Sequence, residues 1–194
     1  MIAIVDYGVG NLRSVENALK RLGAEYILTS DPETIRTASK VILPGVGNVA
    51  EAMANLREKG LVEAIRARRK PLLGICVGMQ VLCRYSEEGN TQCIGLFDTD
   101  VLEFKPEAEL KIPHMGWNRI NNLSSKLFKN IDEGTYVYFV HSYRPQICRD
   151  TIATTDYGGL FSCALKYENF YGTQFHPEKS GDAGEAILKN FLAL

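Results

Sequence analysis

The sequence contains no long apolar segment and no excess of charge of either sign. No apolar run approaches the roughly 18 residues needed to cross a membrane. The start, MIAIVDYG, carries Asp6 and lacks the basic segment of a secretory signal. Lys and Arg number 22 against 23 Asp and Glu, so there is no bulk positive charge for nucleic acid or an anionic membrane. We therefore expect a cytoplasmic protein whose partners are small molecules or proteins.

Cysteine is scarce and unpaired, and histidine is scarcer. The five cysteines are an odd number and lack the short paired spacing of a disulfide framework or a zinc knuckle. We therefore expect at least one free thiol, no metal and no cofactor. Only three histidines are present, which limits the choice of a general base. The cysteines stand at positions 76, 83, 93, 148 and 163.

No low-complexity segment or Pro- or Gly-rich linker divides the 194 residues. Apolar residues make up 45% and charged residues 23%, both near the average for globular proteins, which excludes intrinsic disorder. We therefore expect a single domain that spans residues 1–194.

The first half alternates β-branched runs with amphipathic helical patterns, which predicts βαβ units and a parallel sheet. PLLGIC at 71–76 is apolar throughout, so we expect a strand at the sheet centre that runs directly into a helix at 77–85. Further along, strand-like segments follow one another, which predicts added antiparallel strands. The fold class is therefore α/β, with a mostly parallel, mixed central sheet flanked by helices. Helix boundaries are predicted at Gly23, Asp31 and Asn48.

The segment GICVG at 74–78 has the form of a nucleophile elbow with cysteine in the serine position. Glycines two positions to either side of Cys76 leave room for a sharp turn from strand to helix. The helix N-terminus behind the sulfur would stabilise its thiolate. We therefore predict that Cys76 is a nucleophile and that the other four cysteines are small buried hydrophobes.

His176 is the predicted general base. It follows the apolar strand FYGTQF, and open α/β sheets bind their ligands at such strand ends. Period-two alternation would place His176 and Glu178 on one side, where the carboxylate can orient the imidazole. Cys76, His176 and Glu178 thus make a candidate triad, and we interpret His114 and His141 as structural or interfacial.

The loop PGVG at 44–47 is a candidate for the oxyanion site that acyl transfer requires. It ends a strand and precedes a helix, and its two glycines allow unusual peptide orientations. We predict one donor from this loop, at Val46 or Gly47, and the other from the amide of Val77. An ordinary tight turn is the alternative.

Two further patterns are not interpreted as sites. Gly8 and Gly10 suggest a dinucleotide fingerprint, but Arg13 occupies the position of its third glycine. The basic run at 66–70 closes a helix, and we interpret it as solvated surface.

Three segments together, GICVGMQ, a later QFHPE and an earlier PGVG, resemble the class I (triad) glutamine amidotransferase family over essentially the whole chain. The segments LPGVG, PHMGWN, YFVHSY and YGTQFHPEKSG are similar to the branch of that family that serves histidine biosynthesis. The resemblance implies that Cys76 attacks the side-chain amide of L-glutamine. A γ-glutamyl thioester forms, ammonia leaves with His176 as acid and base, and water then completes glutamate.

The resemblance also implies which residues hold glutamine. They are Gln80, an acidic residue for which Glu88 is the best match and Glu87 a competitor, and the backbone around Ser142 and Tyr143.

A partner subunit is implied in the same way. In that branch, ammonia passes to a (β/α)8-barrel cyclase, which makes imidazole glycerol phosphate and an aminoimidazole-carboxamide ribonucleotide. The resemblance places Asn11, Trp117 and Lys179 against this partner in a heterodimer. It further implies that the PGVG loop holds its oxyanion amide misdirected until the barrel is loaded.

Two alternatives remain open. One is a glutaminase that serves another synthase, such as that for anthranilate, aminodeoxychorismate or pyridoxal phosphate, which PHMGWN disfavours. The other is a catalytically silent binding subunit, which the intact Cys76, His176 and Glu178 disfavour.

Overall fold

The computed structural model describes residues 1–105 and 110–194. The strands in these ranges are β1 (Ile2–Val5), β2 (Tyr26–Thr29), β3 (Lys40–Leu43), β4 (Leu72–Ile75), β5 (Tyr85–Ser86), β6 (Thr91–Gln92), β7 (Asp100–Glu103), β8 (His114–Ile120), β9 (Thr135–His141), β10 (Tyr143–Pro145), β11 (Thr151–Asp156), β12 (Leu160–Tyr167) and β13 (Phe170–Thr173). The helices are α1 (Leu12–Arg21), α2 (Pro32–Thr37), α3 (Val49–Glu58), α4 (Leu61–Arg66), α5 (Val77–Gln80) and α6 (Gly181–Leu192), with 3₁₀ turns at Lys126–Phe128 and Pro177–Lys179. None of the helices in these ranges has the length and apolar character needed to span a bilayer.

A seven-stranded sheet, ordered β11-β12-β13-β4-β3-β1-β2, forms the centre of the fold. Neighbouring strands from β13 to β2 are parallel, whereas β11 and β12 pair antiparallel. β4 is the middle strand and all of its residues are buried, as predicted from its apolar sequence. The predicted α/β class with a mostly parallel, mixed sheet is confirmed.

Local capping signals fix the helices that surround the sheet. Asp31 Oδ2 accepts the N–H of Thr34 at 2.8 Å, and Asn48 Oδ1 accepts the N–H of Ala50 at 2.8 Å. Gly23 follows α1 with a φ of 66°, a left-handed conformation that glycine adopts without steric cost. The cap at Asn48 starts α3 immediately after the 44–47 loop, which fixes one end of that loop.

Strands β8 and β9 form a separate antiparallel ribbon that runs from the pair His114–His141 to the pair Ile120–Thr135. Its side chains alternate between a face packed into the core and an exposed face. We call the exposed face the outer face of the ribbon; its most exposed apolar side chains are Met115, Trp117 and Tyr136.

The helix that follows β4 is shorter than predicted. It ends at Gln80, whereas the sequence pattern predicts a helix to Tyr85. The backbone carbonyls of residues 81–83 accept N–H groups of residues 94–96 at 2.8 Å in each case. Tertiary hydrogen bonds therefore replace the helical ones that the local sequence favours.

The interpretation of the basic run as solvated surface is wrong for Arg68, which is fully buried. Its guanidinium donates to backbone carbonyls at the end of α2 and just before β4. A planar group with five donors can satisfy several carbonyls that helix ends and strand entries leave unpaired. The acceptors are the carbonyls of Ile35, Ala38, Lys70 and Pro71.

Candidate active site

Cys76 occupies the turn between β4 and α5 in an unusual backbone conformation. Its φ is 54° and its ψ is −111°, a region that residues other than glycine rarely adopt. Such strain costs about 1–3 kcal/mol and persists only where the surrounding structure enforces it. The N–H of Cys76 donates to the carbonyl of Thr173 at 2.7 Å, which ties the turn to the end of β13.

The glycines around the turn are required by close backbone packing. A Cβ atom on Gly78 would lie less than 3.0 Å from the backbone of Leu43, and one on Gly74 less than 3.0 Å from the backbone of Gly78. A Cβ atom on Gly45 would clash with Gly78 in the same way. The 44–47 loop therefore lies directly against the turn that carries Cys76.

His176 and Glu178 are in contact and both are buried. His176 Nδ1 donates to Glu178 Oε1 at 2.7 Å. The predicted reason for this contact, strand alternation, is wrong, because residues Pro177–Lys179 form a 3₁₀ turn that brings the carboxylate back to the ring. His176 Nε2 is buried, and Cys76 lies close enough to act on the imidazole.

The electrostatic environment favours a charged His176. Burial alone would lower the pKa of its imidazole, but negative charge on Cys76 and the carboxylate of Glu178 raise that pKa to about 10. The imidazolium form therefore persists at neutral pH when Cys76 is a thiolate. This is the charge distribution that an activated cysteine nucleophile needs.

A cavity of about 270 Å³ opens beside Cys76. Its volume lies just below the range typical of sites for drug-sized ligands, which suits a small molecule. It brings together the predicted nucleophile, oxyanion and substrate-binding positions, and it adds three residues that the sequence did not suggest. Its lining consists of Val46, Gly47, Cys76, Val77, Gln80, Glu88, Pro113, Val140, His141, Ser142 and Tyr143.

The predicted oxyanion donors border this cavity. Val77 is the first residue of α5, where a helix leaves its N–H without a helical acceptor. Gly47 has a φ of 93°, so the peptide planes of the 44–47 loop are held in a conformation that only glycine adopts easily. The start of this loop is held by Tyr7, whose buried hydroxyl donates to the carbonyl of Pro44 at 2.7 Å.

Gln174, which sequence reasoning missed, connects Gln80 to the nucleophile. Gln80 Nε2 donates to Gln174 Oε1 at 2.9 Å, and Gln174 Nε2 lies 3.6 Å from Cys76 Sγ as a donor to the sulfur. Gln174 is fully buried in the sheet-end segment QFHPE. The feature that distinguishes Gln174 is the full burial of its amide two residues before the predicted base. Burial is not visible in a sequence, so the sequence carried no signal for this residue.

The structure separates the two acidic candidates for substrate binding. Glu88 lines the cavity, and its Oε2 accepts the N–H of Val49 at 2.7 Å. Partial burial raises the pKa of the Glu88 carboxyl, although the hydrogen bond from Val49 opposes the shift. Glu87 instead accepts the N–H of Glu103 and lines a different cavity of about 560 Å³.

Of the predicted partner-facing residues, Trp117 and Lys179 lie on elements that adjoin His176, and Asn11 lies at the start of α1. Trp117 is 55% exposed on the outer face of the ribbon, and its ring contacts Tyr138 edge-on at 6.1 Å. The carbonyl of Tyr138 accepts the N–H of His176, and Lys179 follows in the adjoining 3₁₀ turn. Asn11 caps α1 by accepting the N–H of Ser14 at 3.3 Å.

His114 and His141 are both buried within this chain, which fits the structural interpretation rather than the interfacial one. His141 also borders the cavity. Among the described residues, no group of three or more His, Cys, Asp or Glu side chains is arranged to hold a metal ion.

Comparison with known proteins identifies the family. The model of the class-I glutamine amidotransferase family matches residues 3–194. The imidazole glycerol phosphate synthase subunit HisH of Bacteroides fragilis is 55% identical over 194 residues, with 100% of this chain and 99% of that protein covered. The subunit of the same description from Buchnera aphidicola is 46% identical over 196 residues, with 100% and 99% covered.

A solved structure described as a glutamine amidotransferase matches the fold. It superimposes with a TM-score of 0.77 at 19% identity and covers 100% of this chain and 98% of its own. With a strained cysteine and a glycine-rich loop at one cavity, a buried His–Glu pair that interacts with this cysteine, and a family match that spans almost every residue, the chain belongs to the class-I glutamine amidotransferase family.

Proposed function

We propose that this chain is the glutaminase subunit of imidazole glycerol phosphate synthase and hydrolyses L-glutamine in histidine biosynthesis. Subunits of that synthase at 43–55% identity, covered over nearly their full length, support the assignment. The observation that carries it is that Cys76, at the wall of a small cavity, acts on the buried imidazole of His176, which in turn is bonded to Glu178. Free thiols and a biosynthetic role fit a cytoplasmic site of action, which we include in the proposal.

The first chemical step is attack of the Cys76 thiolate on the side-chain amide carbon of glutamine. The new C–S bond pushes the carbonyl electrons onto oxygen, and a tetrahedral oxyanion forms. The amides of Val77 and of the loop at Val46 or Gly47 are placed to donate to it. Removal of one such donor typically slows turnover by about 100–1,000-fold.

The second step expels ammonia. The imidazolium of His176 donates its Nε2 proton to the departing nitrogen, the C–N bond breaks, and a γ-glutamyl thioester remains on Cys76. Glu178 holds the ring through Nδ1 and stabilises its charge before this transfer.

Water completes the reaction. Neutral His176 then accepts a proton from the attacking water, the second tetrahedral intermediate collapses, and glutamate leaves as the thiolate is restored. The imidazolium–thiolate pair is regenerated at the same time, so the site returns to its starting charge.

The substrate is held by polar groups that line the same cavity as Cys76. The Glu88 carboxylate provides a negative partner for the α-ammonium group of glutamine, and the side chain of Gln80 and the backbone of Ser142 and Tyr143 provide polar contacts. Glu87 has no place in this arrangement because it lines the other cavity.

The ammonia must be used by a partner, since ammonia in water at neutral pH is mostly protonated and no longer nucleophilic. We assign the outer face of the ribbon, with Trp117, together with Asn11 and Lys179, to a (β/α)8-barrel cyclase that receives it. The outer face leads to Val140, whose carbonyl lies 3.8 Å from Cys76 Sγ. The partner surface and the reacting atoms are thus joined by one strand.

Partner control acts through the 44–47 loop in this proposal. An oxyanion amide that points away from the cavity in the isolated chain would suppress turnover, and reorientation when the loaded barrel docks would restore it. Gly47, with its φ of 93°, permits such a rotation of a peptide plane.

The test is glutamate production by the isolated chain, by its complex with the cyclase barrel, and by that complex with its ribonucleotide. We expect little, some and much activity, respectively. C76A should lower kcat by about four to six orders of magnitude, whereas C83A, at a buried thiol outside the cavity, serves as the matched control. Full activity without a partner would contradict the control mechanism, stimulation by another synthase would reassign the pathway, and unchanged turnover in C76A would disprove the nucleophile.

A further inference from the structure

Two buried histidines face each other across the ribbon at the border of the active-site cavity. His114 on β8 and His141 on β9 are a cross-strand pair, with His114 Nδ1 and His141 Nε2 separated by 2.9 Å. Two imidazoles in direct contact need one proton between them, so one ring donates and the other accepts. Neither ring has a role in the proposed chemistry.

The neighbours of the pair determine which ring donates. His141 Nδ1 lies 2.8 Å from the backbone carbonyl of Tyr143, which can only accept, so Nδ1 carries the proton and Nε2 accepts. His114 therefore donates from Nδ1, and its Nε2 accepts from the side-chain amide of Asn118 at 3.2 Å. The other amide proton of Asn118 is donated to the carbonyl of Asp156 at 3.0 Å. The hydrogen bonds from Asn118 through His114 and His141 to Tyr143 therefore all run in one direction.

Packing holds the rings in place and keeps them neutral. The ring of His114 lies between two stacked aromatic rings, at 4.7 Å from Phe139 and 3.9 Å from Tyr157. Burial lowers the pKa of His114 to about 4 and that of His141 to about 3. At neutral pH both rings are uncharged donors and acceptors.

The hydrogen-bond chain ends at the carbonyl of Tyr143, an atom that the substrate site also uses. The carbonyl of Tyr143 also accepts from Gln80 Nε2 at 3.1 Å, and the second amide proton of Gln80 goes to Gln174. Because both amide protons are committed, the orientation of the Gln80 side chain is fixed and its Oε1 is left for a ligand in the cavity. Loss of the bond from His141 would release the Tyr143 carbonyl that anchors this arrangement.

We propose that His141, supported by His114, is a positioning residue for glutamine: it holds the Tyr143 carbonyl and, through it, the orientation of Gln80. The inference rests on the proposed function for its substrate, whereas the hydrogen-bond chain itself is a property of the protein alone. Because Gln80 contacts bound substrate, its misplacement acts on KM before it acts on kcat.

A matched pair of substitutions separates positioning from mere filling of space. In H141N the side-chain amide nitrogen replaces Nδ1 and still reaches the Tyr143 carbonyl, whereas in H141Q it replaces Nε2 and the bond is lost. Glutamine KM in the complex with the cyclase barrel should rise about five- to tenfold more in H141Q than in H141N, the value of one neutral hydrogen bond. Equal KM values in the two variants, or an effect confined to kcat, would overturn the proposal.

A measurement on the unaltered protein does not depend on how the variants fold. With ¹⁵N-histidine incorporated into this chain only, NMR at neutral pH should show two rings protonated at Nδ1 and bare at Nε2. A neutral ring protonated at Nε2, or a second imidazolium besides His176, would contradict the proposed hydrogen-bond chain. The two tests fail separately, because absent turnover in the wild-type complex disproves the proposed function while the ring tautomers still decide the hydrogen-bond chain.

Discussion

At the scale of single residues, reactivity at Cys76 depends on how His176 is charged. Glu178 and negative charge on Cys76 overcome the effect of burial and raise the pKa of His176 from its ordinary value of about 6.5 to about 10. A histidine with a raised folded-state pKa stabilises the fold fully below pH of about 6.5, and this stabilisation is lost as the pH rises through about 10. Neutral pH lies between the two values, where the charged form persists.

Glu178→Gln should narrow the pH range over which the imidazolium of His176 persists. Without the carboxylate the pKa of His176 falls, the imidazolium loses its proton at a lower pH, and the thiolate of Cys76 loses its counterion. We expect the alkaline limb of the pH profile of glutaminase activity, where the imidazolium loses its proton, to move to lower pH by about one unit for each unit by which the pKa falls. Glutamate production by the complex with the cyclase barrel over the neutral to alkaline range gives the profile, E58Q at an exposed helical position provides the control, and an unmoved limb would show that Glu178 does not support the charged pair.

For Glu88 we predict a different dependence on pH, that of the KM for glutamine. Burial raises the pKa of its carboxyl, so protonation begins at a higher pH than for an exposed glutamate. As the pH falls through this raised value, the carboxylate charge is lost and KM for glutamine should rise. Because the charged form is the one that burial disfavours, ionisation of Glu88 destabilises the fold above that pKa.

Glu88→Gln should therefore raise KM about 10- to 100-fold at neutral pH, abolish its dependence on pH in the acid range, and leave the Tm no lower. Steady-state kinetics from pH 5 to 8 and thermal unfolding provide the measurements. Glu87→Gln is the matched control, because Glu87 is the adjacent carboxylate but lines another cavity. A larger effect from Glu87 than from Glu88 would reverse the assignment.

Side-chain chemistry was easier to predict than side-chain partners. Cys76, His176 and Glu178 stand in short segments whose glycines and strand ends are visible in the sequence; in the structure Glu178 bonds the His176 ring and Cys76 acts on the same ring. Gln174 donates to Cys76 Sγ, and Arg68 donates to the carbonyls of Ile35 and Ala38; a linear sequence does not show that such distant segments meet.

At the scale of elements, the turn between β4 and α5 depends on close backbone contact. The predicted helix to Tyr85 stops at Gln80 because residues 94–96 supply the hydrogen bonds that would have continued it. Sequence periodicity reports helical preference, but it does not report competition from a loop that returns from elsewhere. The central strand predicted at 71–76 had no such competitor, and its position is confirmed within a residue at either end.

Gly78→Ala tests the contact directly. The added methyl would lie against the backbone of Leu43, which cannot move without shifting β3 and the 44–47 loop. We expect loss of glutaminase activity together with a fall in Tm of several degrees, as for a substitution that overpacks a core by about 1–3 kcal/mol. Gly60→Ala is the control: it has a left-handed φ of 65° but open space around it, so its cost is only conformational. A smaller loss of stability in Gly78→Ala than in Gly60→Ala would argue against the tight turn.

At the scale of the whole molecule, we propose that residues 1–194 form one domain with two working surfaces. A continuous core packs the sheet, the helices and the inner face of the ribbon together. The outer face of the ribbon is left exposed, and it runs toward the cavity at Val140. A partner that covers this face would also close the route by which ammonia could escape into water.

Trp117→Ala should weaken binding of the cyclase barrel about 30-fold or more, since a buried tryptophan at an interface commonly contributes about 2 kcal/mol. Titration calorimetry with the purified barrel measures the Kd. Leu160→Ala removes an apolar side chain of similar exposure, 61% against 55%, from β12 of the central sheet instead of from the ribbon, and should bind normally. Equal Kd values for the two variants would place the partner elsewhere.

The distribution of the thiols has a practical consequence for chemical biology. Burial raises the pKa of Cys83 well above its ordinary value and those of Cys93 and Cys163 to about 12, so these three resist electrophiles at neutral pH. Cys76 lies at the wall of a cavity that we assign to glutamine, next to an imidazolium. A glutamine-shaped electrophile would therefore be directed to Cys76, and the labelling rate at this residue would report, in a crude extract and without any assay of product, how much of the subunit is in its activated state.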